Sequence, residues 1–507
     1  MVKGIGSWIA KHSKLRPDRL AIVFNERRFT YAQFNDRINR LANALLTIGV
    51  RKGDRVNGLL FNTNEMLESM FACAKIGAIL VPINFRLSVD EVDYIVNDSR
   101  AYHLIYDSRM KPLVNQLRLK NKCLQVYIHV GSDPHESDFV YEDLLENASN
   151  YEPEFEIGLD DIHLMMYTSG TTGRPKGAML SHGNTQWNAI NFVNTIPFDY
   201  TDSTLTVAPL FHIGGMSVMT TPLFYVGGTV YLDDQFIPNR VLQKIHEEKI
   251  TCIFLVPAMW QALTSAENFE SYNISSLQLA VSGGAPCPIT VIEFFQKRGI
   301  PFYEGFGLTE TAPFVCILDK DNTLRKNGSV GKEPVHTNVR IVDPNNRDVS
   351  PGEVGELIVN GPNVMVGYWN KPEETKEAIK NDWFYTGDLA KFDEEGFIYI
   401  VDRKKDMIIT GGENVYPIEV EQVLYRHTNI REVAVIGYPD EKWGESIKAI
   451  IALKDKNQPL SVKDVQEYLT GKIARFKIPK QVEIVEALPR NATGKILKTV
   501  LREGRVT

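Results

Sequence analysis

The sequence predicts an α/β protein: a large N-terminal body of doubly wound sheets with a β-rich subdomain, followed by a small α+β C-terminal domain. Three observations support that class. Before Gly328, short apolar runs alternate with amphipathic helical patterns, the rhythm of strands crossed over by helices. Beyond Gly328 the texture turns β-rich, punctuated by turn chemistry at Asp343-Pro344-Asn345-Asn346 and Ser350-Pro351-Gly352. After Ile400-Val401-Asp402 a charged cluster, Arg403-Lys404-Lys405-Asp406, divides the chain into 1–402 and 403–507, the second an ordinary size for an independent domain.

The elements follow in order. Thr30 and Gln33 have capping-box spacing ahead of Phe34, Ile38, Leu41 and Leu45, which share one helix face, and Gly49 stops the run. Residues 55–61 then read as a strand, 64–76 as a helix, 78–83 as a strand, 89–96 as a helix and 103–106 as a strand. The rhythm resumes with apolar strands at 162–167, 205–208, 229–232, 253–256 and 277–281. Helical stretches such as 239–249 and 289–298 separate them, and another helix is expected from Asn184.

Composition narrows the function classes. With 43% hydrophobic and 23% charged residues the chain reads as globular, and 56 basic against 63 acidic residues argue against a nucleic-acid-binding face. Cys73, Cys123, Cys252, Cys287 and Cys316 stand far apart, which disfavours a disulfide framework or zinc knuckle and points to the cytoplasm. Lysines and arginines interrupt the N-terminal apolar residues, so no signal peptide is expected, and the last residues match no peroxisomal or ER address. Residues 203–232 carry no Asp, Glu, Lys or Arg, a length that could cross a bilayer. Pro209, Pro222 and the Gly214-Gly215 and Gly227-Gly228 pairs would break such a helix, so a buried strand–turn–helix–strand wall is expected instead of a membrane span.

The most informative segment is Tyr167-Thr168-Ser169-Gly170-Thr171-Thr172-Gly173-Arg174-Pro175-Lys176-Gly177, between an apolar strand and the helix expected from Asn184. Glycines let backbone N–H groups converge, hydroxyls add donors without bulk, and Arg174 and Lys176 add positive charge, which together suit a polyphosphate. It is not the common P-loop of nucleotide hydrolases, because Pro175 precedes Lys176 and Gly177 follows it.

This segment resembles the phosphate signature of the adenylate-forming, AMP-binding superfamily, which includes acyl- and aryl-CoA synthetases. The resemblance continues in order through Ala208-Pro209-Leu210-Phe211-His212-Ile213-Gly214-Gly215, Ser282-Gly283-Gly284-Ala285-Pro286 and Tyr303-Glu304-Gly305-Phe306-Gly307-Leu308-Thr309-Glu310-Thr311. It ends with Tyr385-Thr386-Gly387-Asp388, Asp402-Arg403-Lys404-Lys405-Asp406 and Pro489-Arg490-Asn491-Ala492-Thr493-Gly494-Lys495. By this resemblance Thr168, Ser169, Gly170, Thr171, Thr172, Gly173 and Lys176 cradle the ATP phosphates. Gly284, Ala285, Pro286, Phe306 and Gly307 form the adenine site, with Phe306 where relatives often carry Tyr. Asp388 and Arg403 hold the ribose. Glu310 is the Mg²⁺ ligand, Thr309 a donor to the α-phosphate, and Lys495 the catalytic lysine of a mobile small domain hinged at Lys405. Gly411 and Gly412 would then line a CoA tunnel after rotation. ATP, Mg²⁺ and CoA are the implied co-substrates.

The resemblance implies activation of a carboxylic acid to acyl-AMP with pyrophosphate release, then transfer to CoA. The acid pocket is expected among His212, Met259, Trp260, Gly284 and Thr311. These stretches are mostly apolar, with no Arg or Lys for a second carboxylate and no Asp for an amine, which favours a medium- or long-chain fatty acid. An aryl or arylpropenoic acid is the alternative, and an acyl-AMP ligase loading a carrier protein or a non-catalytic nucleotide sensor are the rival classes. The sensor class is disfavoured by the presence of both Glu310 and Lys495.

Overall fold

The computed structural model describes residues 4–168, 174–404, 406–410, 413–440, 443–490 and 496–504. Capping chemistry starts the early helices where the sequence places them. Thr30 Oγ1 accepts from the Gln33 N–H while the Gln33 side chain accepts from the Thr30 N–H, and helix Tyr31–Thr47 buries Phe34, Ile38, Leu41 and Leu45. Helix Asn64–Ile76 is buried along its whole length between the two largest sheets. Its polar residues are therefore paired: Glu68 accepts from Arg37 and Tyr141, and the Lys75 ammonium bonds Glu152 at 2.7 Å.

Among the described residues four sheets form. The first runs Phe314–Leu318, Phe302–Gly307, Leu279–Gly283, Cys252–Leu255, Ser203–Thr206, Thr229–Leu232, Leu20–Phe24, Arg27–Thr30, parallel in its centre and antiparallel at both ends. The second runs Gly367–Tyr368, Lys176–Ser181, Ile162–Thr168, Ile79–Pro82, Arg55–Leu59, His103–Asp107, Val126–Val130, Phe139–Val140. Crossover helices cover these parallel cores, as apolar strands buried on both faces require. A third, antiparallel sheet spans Asn338–Val342 to Ile398–Arg403, matching the expected β-rich subdomain. The fourth begins at Ile408–Thr410 and, with helices Pro417–Leu424 and Val462–Leu469, builds the C-terminal α+β unit around its own core.

Residues 203–232 fold as strand Ser203–Thr206, helices Ile213–Ser217 and Thr220–Val226, and strand Thr229–Leu232. Among the described residues no helix is long and apolar enough to cross a membrane. All five cysteines are free thiols. The helix expected from Asn184 starts two residues earlier, at His182, and a strand the sequence reading missed precedes it: the glycine-rich loop leads into Lys176–Ser181, which folds back antiparallel on Ile162–Thr168. Alternation in Lys176-Gly177-Ala178-Met179 was masked by small residues, which carry little periodic signal.

Candidate active site

The hairpin fixes the ends of the phosphate loop. Thr168 and Lys176 face each other on its last rung and Tyr167 pairs with Gly177, so the strand ends flank residues 169–175 of the sequence. Ser169, Gly170, Thr171, Thr172 and Gly173 themselves lie outside the described residues, as do Lys405, Gly411, Gly412 and Lys495.

Opposite this hairpin, strand Phe302–Gly307 ends in a single 3-10 turn, Thr309–Thr311, that carries Glu310 half-exposed. Gly307 is obligatory, because a Cβ there would lie 1.8 Å from the Pro313 carbonyl oxygen. Thr311, expected at the acid pocket, is instead fully buried and braces the turn. Its hydroxyl accepts from the Leu308 N–H at 3.0 Å and donates to the Pro313 carbonyl at 2.6 Å.

A strap formed by residues 361–369, absent from the sequence-derived site, joins the turn to the hairpin. The Met365 N–H donates to the Glu310 carbonyl at 2.8 Å, Val366 to Met179 and Trp369 to Gly177. Buried Asn363 donates to the carbonyls of Thr311 at 2.9 Å and Phe314 at 2.8 Å, and the Asn184 amide donates to those of Pro362 and Val364. At the end of the strap the Tyr368 hydroxyl donates to Glu310 Oε1 at 2.9 Å, and Lys176 Nζ stands 5.3 Å from the centre of the Tyr368 ring. Burial, and then the Glu310 carboxylate, raise the Tyr368 phenol pKa above its ordinary value. Asn184, Asn188 and Asn191 form a stripe at helical spacing that could have signalled the strap's anchor, whereas nothing local to Tyr368 announces its partner.

The loop expected to seat adenine, Gly284, Ala285 and Pro286, emerges exposed from strand Leu279–Gly283. It is tied down by Glu304, whose Oε1 accepts from the Cys287 N–H at 3.0 Å, and burial pushes the Glu304 carboxyl up to about 7. Phe306 is half-buried on the same strand as Glu304, packed against the core of the third sheet. On the ribose side, Asp388 and Arg403 are register partners on adjacent strands, with Arg403 Nε 3.2 Å from Asp388 Oδ1.

The acid side is apolar. Helix Ile213–Ser217 starts after half-buried His212, beside an aromatic cluster in which Phe85 stacks on Phe61 and meets Phe211 edge-on. A small cleft of ≈ 10 Å³, room for about one water, is lined by residues that include Thr206, Ala208, Gly214, Gly215, Thr220 and Phe254. Phe254 lies on a central strand yet is not fully buried, and Cβ atoms built on Gly214 and Gly283 would come within 2.9 and 3.3 Å of its ring. Trp260, expected on this pocket, is fully buried among Phe295 and Phe302 in a helix-covered core, its indole N–H donating to the Val281 carbonyl at 3.2 Å. Its neighbour Met259 packs partly against the same core. The expectation failed because Val256-Pro257 turns into helix Pro257–Thr264, which directs Trp260 away from the cleft.

The donor set fits Mg²⁺ carried on a polyphosphate. Such an ion keeps water and phosphate oxygens as ligands and needs only one or two carboxylates, and Glu310 supplies one oriented oxygen donor beside Lys176. Among the described residues no cluster of three or more His, Cys, Asp or Glu side chains offers an all-protein metal cage.

Comparison with known proteins agrees with this architecture. Residues 9–369 match the family model for AMP-binding enzymes, and residues 419–495 match the model for the AMP-binding enzyme C-terminal domain. The chain is 41% identical over 500 residues to a feruloyl-CoA synthase of Amycolatopsis, covering 99% of each chain. It is 38% identical over 506 residues to a long-chain-fatty-acid–CoA ligase of Mycobacterium tuberculosis, covering 99% of this chain and 98% of that one. Among solved structures, the o-succinylbenzoate CoA synthetase of Bacillus subtilis in complex with its acyl-adenylate intermediate superposes with a TM-score of 0.87 at 32% identity, covering 98% and 97% of the two chains. A further structure of that enzyme contains ATP and a magnesium ion. The chain therefore belongs to the AMP-binding, adenylate-forming enzymes, as an acid–thiol ligase that works through an acyl adenylate with ATP, Mg²⁺ and CoA as co-substrates.

Proposed function

We propose that this ligase activates an aryl or arylpropenoic acid. The observation that carries the reading is an aromatic ring set among glycines: Phe254 lies against Gly214 and Gly283, a flat apolar face on which another ring can stack. The 41% identity to a feruloyl-CoA synthase supports the same choice. A medium- or long-chain fatty acid is the second reading, supported by the apolar lining and by the 38% identity to a fatty-acid ligase.

In the proposed chemistry a carboxylate oxygen attacks the α-phosphorus of ATP, the bond to the β-phosphate oxygen breaks, and pyrophosphate leaves. A CoA thiol then attacks the acyl carbon, losing its proton, and AMP departs. The hairpin loop with Thr168 and Lys176 would orient the phosphates, Thr309 would donate to the α-phosphate, and Gly284 to Pro286 with Phe306 would seat the adenine. Asp388 and Arg403 would hold the ribose hydroxyls. Mg²⁺ held through Glu310 would neutralise the charge of the departing pyrophosphate. Lys495 is proposed as the lysine bridging acid and α-phosphate. A boundary at 402/403 with a hinge at Lys405 would let the Gly411-Gly412 face replace it for thioester formation. The third sheet ends at Arg403 and the fourth starts at Ile408, which supports a division within a few residues of that boundary while keeping Arg403 with the large body.

The test is pyrophosphate release across benzoic, cinnamic, hydroxycinnamic and C6–C16 fatty acids, with and without CoA. A kcat/KM at least tenfold higher for an aromatic acid is expected, and a dodecanoate or palmitate preference would replace this reading with the second.

A further inference from the structure

The Glu310 carboxylate and the Lys176 ammonium belong to motifs more than a hundred residues apart, yet both meet one side chain. Tyr368 donates its hydroxyl to Glu310 Oε1 at 2.9 Å and offers its ring to Lys176 Nζ at 5.3 Å. We propose that Tyr368 is a positioning residue for the adenylation step, coupling the metal-directed carboxylate to the phosphate-directed lysine. The proposal rests on the adenylation reading of the Glu310 turn and not on the choice of acid.

The placement of Tyr368 is over-determined. Its backbone pairs with Ala178 of the phosphate hairpin, its N–H donates to Thr375 Oγ1 at 2.9 Å, and the next residue, Trp369, donates to Gly177 at 2.8 Å. The Glu310 backbone is held independently by Met365, three residues earlier on the same strap. The hydroxyl therefore adds little to holding the chain in place. Its contribution falls on the direction of the carboxylate, since a carboxylate with one oxygen held by an O–H donor presents the other along a defined line. The ring acts separately: its face attracts an ammonium and restricts Lys176 to the side of the loop where phosphate is expected.

The two functions can be divided by substitution. Tyr368→Phe removes the hydroxyl and keeps the ring, while Tyr368→Leu removes both. ATP binding would be followed by calorimetry as MgCl2 is varied, with thermal unfolding recorded in parallel. For Tyr368→Phe, the Mg²⁺ concentration at half-maximal ATP affinity should rise about tenfold, as loss of one hydrogen bond to a charged group implies. ATP binding in EDTA should be unchanged and the melting temperature close to that of the parent. Tyr368→Leu should in addition weaken ATP binding in EDTA by about threefold. A double-mutant cycle removes dependence on any one variant: in a Glu310→Gln background, Tyr368→Phe should produce no further shift in the Mg²⁺ response.

An unchanged Mg²⁺ response in Tyr368→Phe would overturn the proposal, as would an equal further loss in the Glu310→Gln background. Parental enzyme whose ATP binding ignores Mg²⁺ would sink the adenylation reading and this proposal with it. Parental enzyme that responds to Mg²⁺ while Tyr368→Phe responds identically would sink this proposal alone.

Discussion

On the phosphate side of the site, the strap at 361–369 is joined to the hairpin and the Glu310 turn by backbone and amide hydrogen bonds, including those of Met365, Asn363 and Asn184. On the acid side, the cleft is bounded by an aromatic ring seated against two glycines. The first kind of construction has one solution, because each buried carbonyl must keep its donor. The second tolerates exchange, because apolar side chains of different volume can fill the same space at modest cost. An enzyme built this way can hold the chemistry of ATP constant while its choice of acid drifts. That contrast can be tested by breaking each side in turn.

The largest effect is expected at Asn363. It is fully buried, donates to two carbonyls and accepts from the Thr337 hydroxyl at 3.1 Å. Asn363→Ala leaves those carbonyls without a donor and should cost about 3 kcal/mol of stability, measured by urea unfolding. Pyrophosphate release at saturating acid should fall about a hundredfold, as expected when a nearby positioning element shifts by about an ångström. Preference among acids should not change. A variant that stays fast but changes its acid preference would invert the proposed division between the two sides.

Glu304 belongs to neither construction and ties down the exposed loop at Gly284 to Pro286 through the Cys287 N–H. Its carboxyl is buried and pushed up to about 7 from 4.5 by desolvation, with the backbone N–H of Cys287 opposing that shift. A folded-state pKa above the unfolded one means the folded protein binds more protons between these values. The contribution of Glu304 to stability therefore declines as pH rises from about 4.5, by at most about 3 kcal/mol once the pH exceeds the folded pKa. Glu304→Gln keeps an acceptor for the Cys287 N–H and removes the charge. It should be more stable than the parent at pH 8 and indistinguishable at pH 4.5, as read from paired urea titrations. Equal stabilisation at both values would show that burial of charge is not the cause.

How much of this was legible in the sequence follows the same division. The Thr30 cap, helix Asn64–Ile76 and strand Thr229–Leu232 could be read because caps and apolar runs are local. The motif series assigned Glu310 and Lys176 to one polyphosphate without showing what joins them. Tyr368 acts across 58 positions and Phe85 meets Phe211 from a distant loop, pairings that no local pattern encodes. Trp260 was misassigned because the apolar run 256–260 does not say which of its side chains is taken up by the core, here by Phe295 and Phe302. The strand Lys176–Ser181 was missed because Gly177 and Ala178 give no alternation to read.

The smallest effect, and the sharpest test of the acid side, is Phe254→Ala. Phe254 shares its strand with Ile253 and Leu255, which are buried in the helix-covered core, so strand alternation puts its ring on the opposite face, toward the cleft. Because the ring is only partly buried, its removal should destabilise less than the 3–5 kcal/mol typical of a core phenylalanine. It should instead open the space that the ring fills beside Gly214 and Gly283. Apolar pockets discriminate by about 1–3 kcal/mol per methylene-sized change, so the ratio of kcat/KM for a long-chain over an aromatic acid should rise about tenfold. The change should appear in the acid's KM, with the KM for ATP and the Mg²⁺ response unaltered, since no strap hydrogen bond involves this strand. If the ATP parameters moved together with the acid preference, the two sides would be mechanically coupled, and the separation inferred from their different construction would fail.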